Sequence, residues 1–320
     1  MPGILVIAET NEDGVAPISF ELLGAARELS GQGAGDVAAL IAGSEAQAKE
    51  LLAHGADSVY TANGTLAGQP ADALLPAAEA ALQQSGADVV LMGQTSLGRD
   101  LGPALAFRLK TGVSMDTVEL KLEGGRLRAT RSAYGGNARA EHTWKSNPQV
   151  VTLKAKSYDP LEADAGRSGN VTAIDAAGES KVKVLGTEKA ESTGIRLEDA
   201  AIVIAGGRGL GDASAFESLE QLAKSLPNAA VGASRAACDL GWYPPALQVG
   251  LTGKTVSPNL YVAIAISGAS QHMAGMAGSK NIVSINKDAD SNMVKVSKFA
   301  IIDDYKKVLP ALIEAVKKLS

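Results

Sequence analysis

Apolar residues in the first half of the chain come in short runs separated by longer, mixed stretches. Ile4–Ala8, Val37–Ile41, Ser58–Tyr60 and Asp88–Met92 are too short for helices and read as strands. Between them, Ile18–Leu29, Glu45–Leu52, Pro70–Gln84 and a segment from about Arg99 to Leu109 read as helices, Ile18–Leu29 with its apolar residues on one face. Strands alternating with helices predict a parallel sheet. Asp116–Ala140 alternates in another way, with Gly124-Gly125 as a turn, and predicts antiparallel hairpins at one end of that sheet. Val150–Lys154 returns as a strand, and Lys181–Leu185 reads as the last strand of this half. Gly186–Asp199 is polar and has no apolar period, as expected of an interdomain linker.

The second half repeats the alternation. Ile202–Ala205, Ala229–Val231, Tyr261–Ile266 and Ile282–Ile285 are β-branched-rich runs that end in glycine or small polar residues. Asp212–Leu226 and Ser234–Leu240 read as helices between them. Tyr305–Lys318 is a closing helix, with Val308, Leu309, Leu312, Ile313 and Val316 at helical spacing. The expected fold class is α/β, with two doubly wound parallel-sheet domains. They span residues 1–186 and 200–320, joined by a linker over 187–199.

Composition narrows the functional classes. A chain of 320 residues accommodates about two domains. A net charge of -5 argues against a nucleic-acid footprint. A single cysteine excludes an intrachain disulfide and fits a reducing compartment. The opening MPGILVIAET lacks a basic leader and predicts no signal or transit peptide, hence a cytoplasmic protein. No apolar run approaches the roughly 18 residues of a membrane span. Three histidines and one cysteine stand at no metal-ligand spacing, so no metal is expected.

Ligands of doubly wound sheets bind at the carboxyl ends of the strands, and the polar residues of the second half cluster there. The turn GGRGLG (206–211) follows a strand. It reads either as a cradle of backbone N–H groups for a pyrophosphate or as a plain tight turn, because its spacing is not GxGxxG. Arg208 within it offers a planar fork suited to phosphate or to a flat ring edge. Ser234 is placed as a helix N-cap. Arg235 sits in the first helical turn, where the helix dipole disfavours a cation and an anion nearby is called for. Gly250 and Gly253 flank Thr252 and let the backbone approach a flat ligand. Ser267–His272 (SGASQH) passes over the end of the best strand, which makes His272 a candidate hydrogen-bond donor. Asn286 and Asp304 lie beyond later strand ends and read equally as turn formers; Asp288 is read as structural. Cys238, among alanines on a helix, reads as packing. TSLGRD and SAYGGNARA in the first half are assigned no site.

The segments GGRGLG, VGASRAACDLGW, QVGLTGKTVSPNLYVAIAISGASQHMAGM and SINKDADS resemble the FAD-binding domain of the electron-transfer flavoprotein alpha subunit, in the family order and spacing. The likeness continues through IIDDYKKVLPAL and covers the first half more weakly. It implies FAD as cofactor. Arg208 then contacts FAD, Arg235 lies over the flavin ring, Thr252 offers its hydroxyl near N5, and His272 reaches O2. Asn286 and Asp304 would stand near the adenosine half. The implied binding set also includes Ser234, Gln248, Val249, Gly250, Leu251, Ser267, Gly268, Ala269, Ser270, Gln271 and Tyr305. One departure is visible: Leu251 stands where the family usually has glutamine, so a side-chain hydrogen bond to the ligand is lost while a backbone bond can remain. The resemblance further implies a beta-subunit partner packed on the first domain, electron donors such as acyl-CoA dehydrogenases, and a quinone oxidoreductase or other acceptor. An NADH-dependent bifurcating complex is the alternative within the same family.

Overall fold

The computed structural model describes residues 3–134, 138–186 and 194–318. They form two compact units, residues 1–133 with 139–188, and residues 134–138 with 189–320.

In the first unit, β1 (Ile4–Ala8), β4 (Val37–Ala42), β5 (Ser58–Ala62), β6 (Val89–Gly93) and β10 (Gln149–Leu153) run parallel. Every residue of β1, β4, β6 and β10 is buried, because helices cover both faces of the sheet. Those helices are α1 (Pro17–Leu29), α2 (Glu45–Ala53), α3 (Ala71–Ser85) and α4 (Ser96–Arg108). The short hairpin of β2 (Thr10–Asn11) and β3 (Gly14–Val15) lies outside the sheet. The alternating segment forms β7 (Val113–Glu123) and β8 (Arg126–Ala133), paired antiparallel across Gly124 and Gly125, whose φ values of 58° and 76° suit a tight hairpin turn. β9 (Ala138–His142) extends that end of the sheet.

The expected last strand at Lys181–Leu185 is a correction: those residues are irregular, and Leu185 is 91% exposed. The edge of β5 is instead taken by β11 (Asn170–Ile174), a mostly exposed strand that pairs with it in parallel. Alternation alone makes no strand once the available edge is occupied.

The second unit is a five-stranded, wholly parallel sheet of β12 (Ile202–Gly206), β13 (Ala229–Ala233), β14 (Leu260–Ile264), β15 (Asn281–Asn286) and β16 (Phe299–Ile302). Its order is β13-β12-β14-β15-β16, so the winding reverses between β12 and β14. Ile204 packs on one face with α5 (Ala215–Lys224) and α9 (Tyr305–Lys317); Val203 and Ala205 pack on the other. β14 ends earlier than the apolar run suggests, because Ala265 adopts φ 56°, a conformation unfavourable for a residue with a Cβ. Three elements lack a clear sequence signal: β16, whose four residues are all exposed, and the short helices α7 (Ser270–Met276) and α8 (Asn292–Val296). The remaining helix, α6 (Arg235–Asp239), is shorter than expected.

Most of the expected linker, residues 187–193, lies outside the described residues. Leu197 within it is buried in the second unit's core, and Glu198 pairs with Lys254 at 2.6 Å.

Candidate functional site

At the carboxyl ends of β12 and β14, where the winding reverses, a crevice of about 600 Å³ opens. Turns leaving all five strands of the sheet build it. Of the expected set it brings together Arg208, Ser234, Arg235, Gln248, Val249, Gly250, Leu251, Thr252, Ser267, Ala269, Gln271, His272, Asn286 and Tyr305. Three expected residues do not line it. Gly268, at φ 79°, makes the turn that packs on Met293; Ser270 is the first residue of α7; Asp304 caps α9 and pairs with Lys287 at 3.0 Å. A second depression of similar volume, at the amino ends of the same strands, is lined mainly by apolar residues including Ile202, Leu260 and Phe299. The carboxyl-end rule selects the first.

The glycine-rich turn after β12 has a packing reason of its own. A Cβ on Gly207 would lie 2.1 Å from the Ala265 carbonyl oxygen, and one on Gly209 would lie 2.9 Å from it. These glycines therefore let the turn rest on the end of β14. Arg208 stands between them, exposed and without a hydrogen-bond or ion-pair partner among the described residues, so its guanidinium is free to meet an anionic group.

Ser234 caps α6 by accepting from the Ala237 N–H at 3.4 Å. The neighbouring Arg235 corrects part of the sequence argument. Its anionic partner is inside the helix, Asp239, at 3.4 Å, and both side chains are about two-thirds exposed. An exposed pair of this kind is weak, so the cation does not by itself demand a ligand.

The loop 248–254 is tied down by its backbone. Gln248 Nε2 donates to Thr252 Oγ1 at 3.0 Å, which leaves the threonine O–H free to donate. The Leu251 N–H donates to the Gln271 carbonyl at 2.7 Å. At this position the N–H already serves to hold the loop on α7. The Leu251 side chain is 65% exposed.

Asn286 closes the far side of the crevice. Its Nδ2 donates to the Ile266 carbonyl at 2.9 Å and to Ser291 Oγ at 3.2 Å, and its Oδ1 accepts from the Asp288 N–H at 3.0 Å. Its side chain is thus spent on tying turns together, as the turn-former reading expects. Tyr305 donates to the Leu210 carbonyl at 2.6 Å and fastens α9 to the glycine-rich turn. Sequence reasoning missed Asp239, Lys287 and Asp303, which also line the crevice. Asp303 follows the unrecognised strand β16; its carboxyl is held below the usual range by the Asp304 N–H and by Lys307.

His272 is the buried polar group of the site, 7% exposed. Burial lowers its pKa from 6.5 to about 4, against an opposing contribution from the Val249 backbone, so the ring is neutral at pH 7. Nε2 lies 2.8 Å from the Tyr261 hydroxyl. Nδ1 has no hydrogen-bond partner of normal geometry among the described residues. An orphaned buried ring nitrogen, a free guanidinium and a free threonine hydroxyl around one crevice fit a flat, anionic, hydrogen-bonding ligand. Cys238 is buried, its thiol pKa raised by that burial, as a packing residue requires. Among the described residues, no group of three or more metal-ligating side chains occurs, and no helix is long and apolar enough to cross a membrane.

Comparison with known proteins agrees with this geometry. Residues 4–179 match the model of the electron transfer flavoprotein domain, and residues 196–277 match that of the electron transfer flavoprotein FAD-binding domain. The chain is 40% identical over 327 residues to the electron transfer flavoprotein subunit alpha of Megasphaera elsdenii, covering 99% of this chain and 96% of that one. It is 37% identical over 322 residues to the protein of the same name from Bacillus subtilis, covering 99% and 98%. Protein FixB of Clostridium saccharobutylicum is 38% identical over 325 residues, covering 99% and 97%.

Proposed function

The chain belongs to the electron transfer flavoprotein alpha-subunit family and its cofactor is FAD, and on that premise we propose that it is the FAD-carrying half of a heterodimer with a beta subunit. The heterodimer takes electrons from dehydrogenases such as acyl-CoA dehydrogenases and delivers them to a quinone oxidoreductase or another acceptor. The observation that carries this reading is the donor set of the crevice: free Arg208, the Thr252 hydroxyl and the buried, neutral His272. These residues bind and polarise a ligand. None of them is arranged as a general base against a carbon substrate, because His272 holds too little basicity at neutral pH. FAD supplies reversible electron acceptance when bound, and the protein tunes it. Arg208 suits the anionic part of the cofactor, while Thr252 and His272 suit ring heteroatoms. Residues 1–186 provide the surface for the beta subunit, with 187–199 as the linker, in the cytoplasm.

Co-expression with a beta subunit should yield a yellow heterodimer that releases FAD on denaturation in an amount stoichiometric with this chain. A stable, monomeric, FAD-loaded chain without a partner would defeat the heterodimer, and a flavin-free complex would defeat the carrier. Rapid reduction of the complex by NADH would instead support the bifurcating alternative.

Arg235→Ala should lower the midpoint potential of the bound flavin, because it removes a positive charge from the crevice. The drop should be at most about 60 mV, a tenfold change in a one-electron equilibrium. The side chain is exposed and Asp239 competes for it. A redox titration showing no change, with FAD fully bound, would remove Arg235 from the tuning set.

A further inference from the structure

Tyr261 on β14 is fully buried, and its hydroxyl has one hydrogen-bond partner among the described residues, Nε2 of His272 at 2.8 Å. The two rings meet edge to face at 61°. This contact has two protonation arrangements. If Nε2–H donated to the phenol oxygen, the buried phenol O–H would have no acceptor, and the Nδ1 lone pair would have no donor. If the phenol donates to Nε2, its O–H is satisfied, and the one donor left over is Nδ1–H, which has only the poorly aligned Val249 carbonyl beside it. A buried donor or acceptor without a partner is costly, so the second arrangement wins by the number of orphans. Burial also raises the phenol pKa, keeping the O–H protonated.

We propose that Tyr261 is a positioning residue that fixes His272 in the Nδ1–H tautomer, so that the ring presents an N–H donor to an acceptor atom of the cofactor. This rests on the reading of the crevice as the FAD site, and it adds what that reading does not contain: which nitrogen carries the proton, and which residue decides it. It also makes β14 part of the tuning machinery. The strand that ends at the crevice carries, three residues before its last, the hydroxyl that orients the ring. The side chain of Tyr261 never needs to reach the cofactor, because it acts through the imidazole.

The test is long-range nitrogen–proton spectroscopy of the full chain, as it purifies, with isotope-labelled histidine. The chain has three histidines, and the signal lost in His272→Gln assigns the one of interest. The expected spectrum shows a pyrrole-type Nδ1 and a pyridine-type Nε2 for His272. In Tyr261→Phe the Nε2–H tautomer should appear as the major or a mixed species. A pyrrole-type Nε2 in the unaltered chain overturns the proposal, and so does a tautomer unchanged in a folded Tyr261→Phe. If that variant does not fold, the spectrum of the unaltered chain still decides. Comparing flavin-loaded and flavin-stripped protein tests the underlying site reading separately. A His272 signal that ignores FAD refutes contact with the cofactor while leaving the tautomer assignment standing.

Discussion

Gly275→Ala should loosen FAD by forcing apart two supports of the crevice, α7 and the loop 248–254. Gly275 lies on α7, and a Cβ built there would sit 2.4 Å from the nitrogen of Gly250, 2.5 Å from its Cα and 2.9 Å from its carbonyl carbon. All three are backbone atoms, so no flexible side chain can swing aside. The approach is mutual: Gly250 has φ 150°, and a Cβ there would meet the Gln271 carbonyl oxygen at 3.1 Å. Helix and loop therefore touch backbone to backbone, held by the Leu251 N–H on Gln271 and the Val256 N–H on Gly275. The helix carries His272 and the loop carries Thr252, so pushing them apart separates two of the crevice's donors. Overpacking of this kind costs about 1–3 kcal/mol, which corresponds to roughly a 5- to 150-fold loss of FAD affinity if the bound state bears the full cost. Thermal unfolding and flavin-fluorescence titration measure both parts. Gly31→Ala, where a Cβ meets nothing within 4 Å, should change neither. Unaltered affinity and melting in Gly275→Ala would refute the backbone contact.

Acidification from pH 6.5 toward pH 4 should destabilise the second unit through His272, whose pKa falls from 6.5 to about 4 on folding. In this window the unfolded chain binds a proton that the folded chain refuses, so stability is present above the unfolded pKa and is lost as pH falls through the folded one. The size of the shift corresponds to roughly 3 kcal/mol at full effect. Glu9 and Glu21 in the first unit are raised by burial and act in the opposite direction. The discriminating measurement is therefore the difference between the unaltered chain and His272→Gln in denaturant midpoint across this range. The variant should lose part of the pH dependence. Parallel curves for the two proteins would show that the histidine is protonated in the folded state, or that it titrates equally in both states.

What the sequence determined by itself lies along the chain. Runs such as Ile202–Ala205 and Ile4–Ala8 are apolar on every position, and only a strand covered on both faces can bury them. Gly124-Gly125 specified a hairpin, because consecutive positive φ values are open to glycine. Ser234 specified the start of α6, because its side chain reaches an N–H only three residues away. These are local causes, and local causes are legible. Tertiary structure decided whatever depends on a neighbour distant in sequence. β11 rather than Lys181–Leu185 closed one sheet, because an edge admits one strand. Four exposed residues became β16, because the edge of β15 was open beside them. Gly207 and Gly209 are small because of Ala265, just past the end of β14, a reason their own turn does not display. The Leu251 N–H is taken by the Gln271 carbonyl, and the His272 ring is held by Tyr261. Both owe their state to partners that the fold, and not the local sequence, sets beside them. Residue type announced that a donor was present, and packing decided which proton it had left to give.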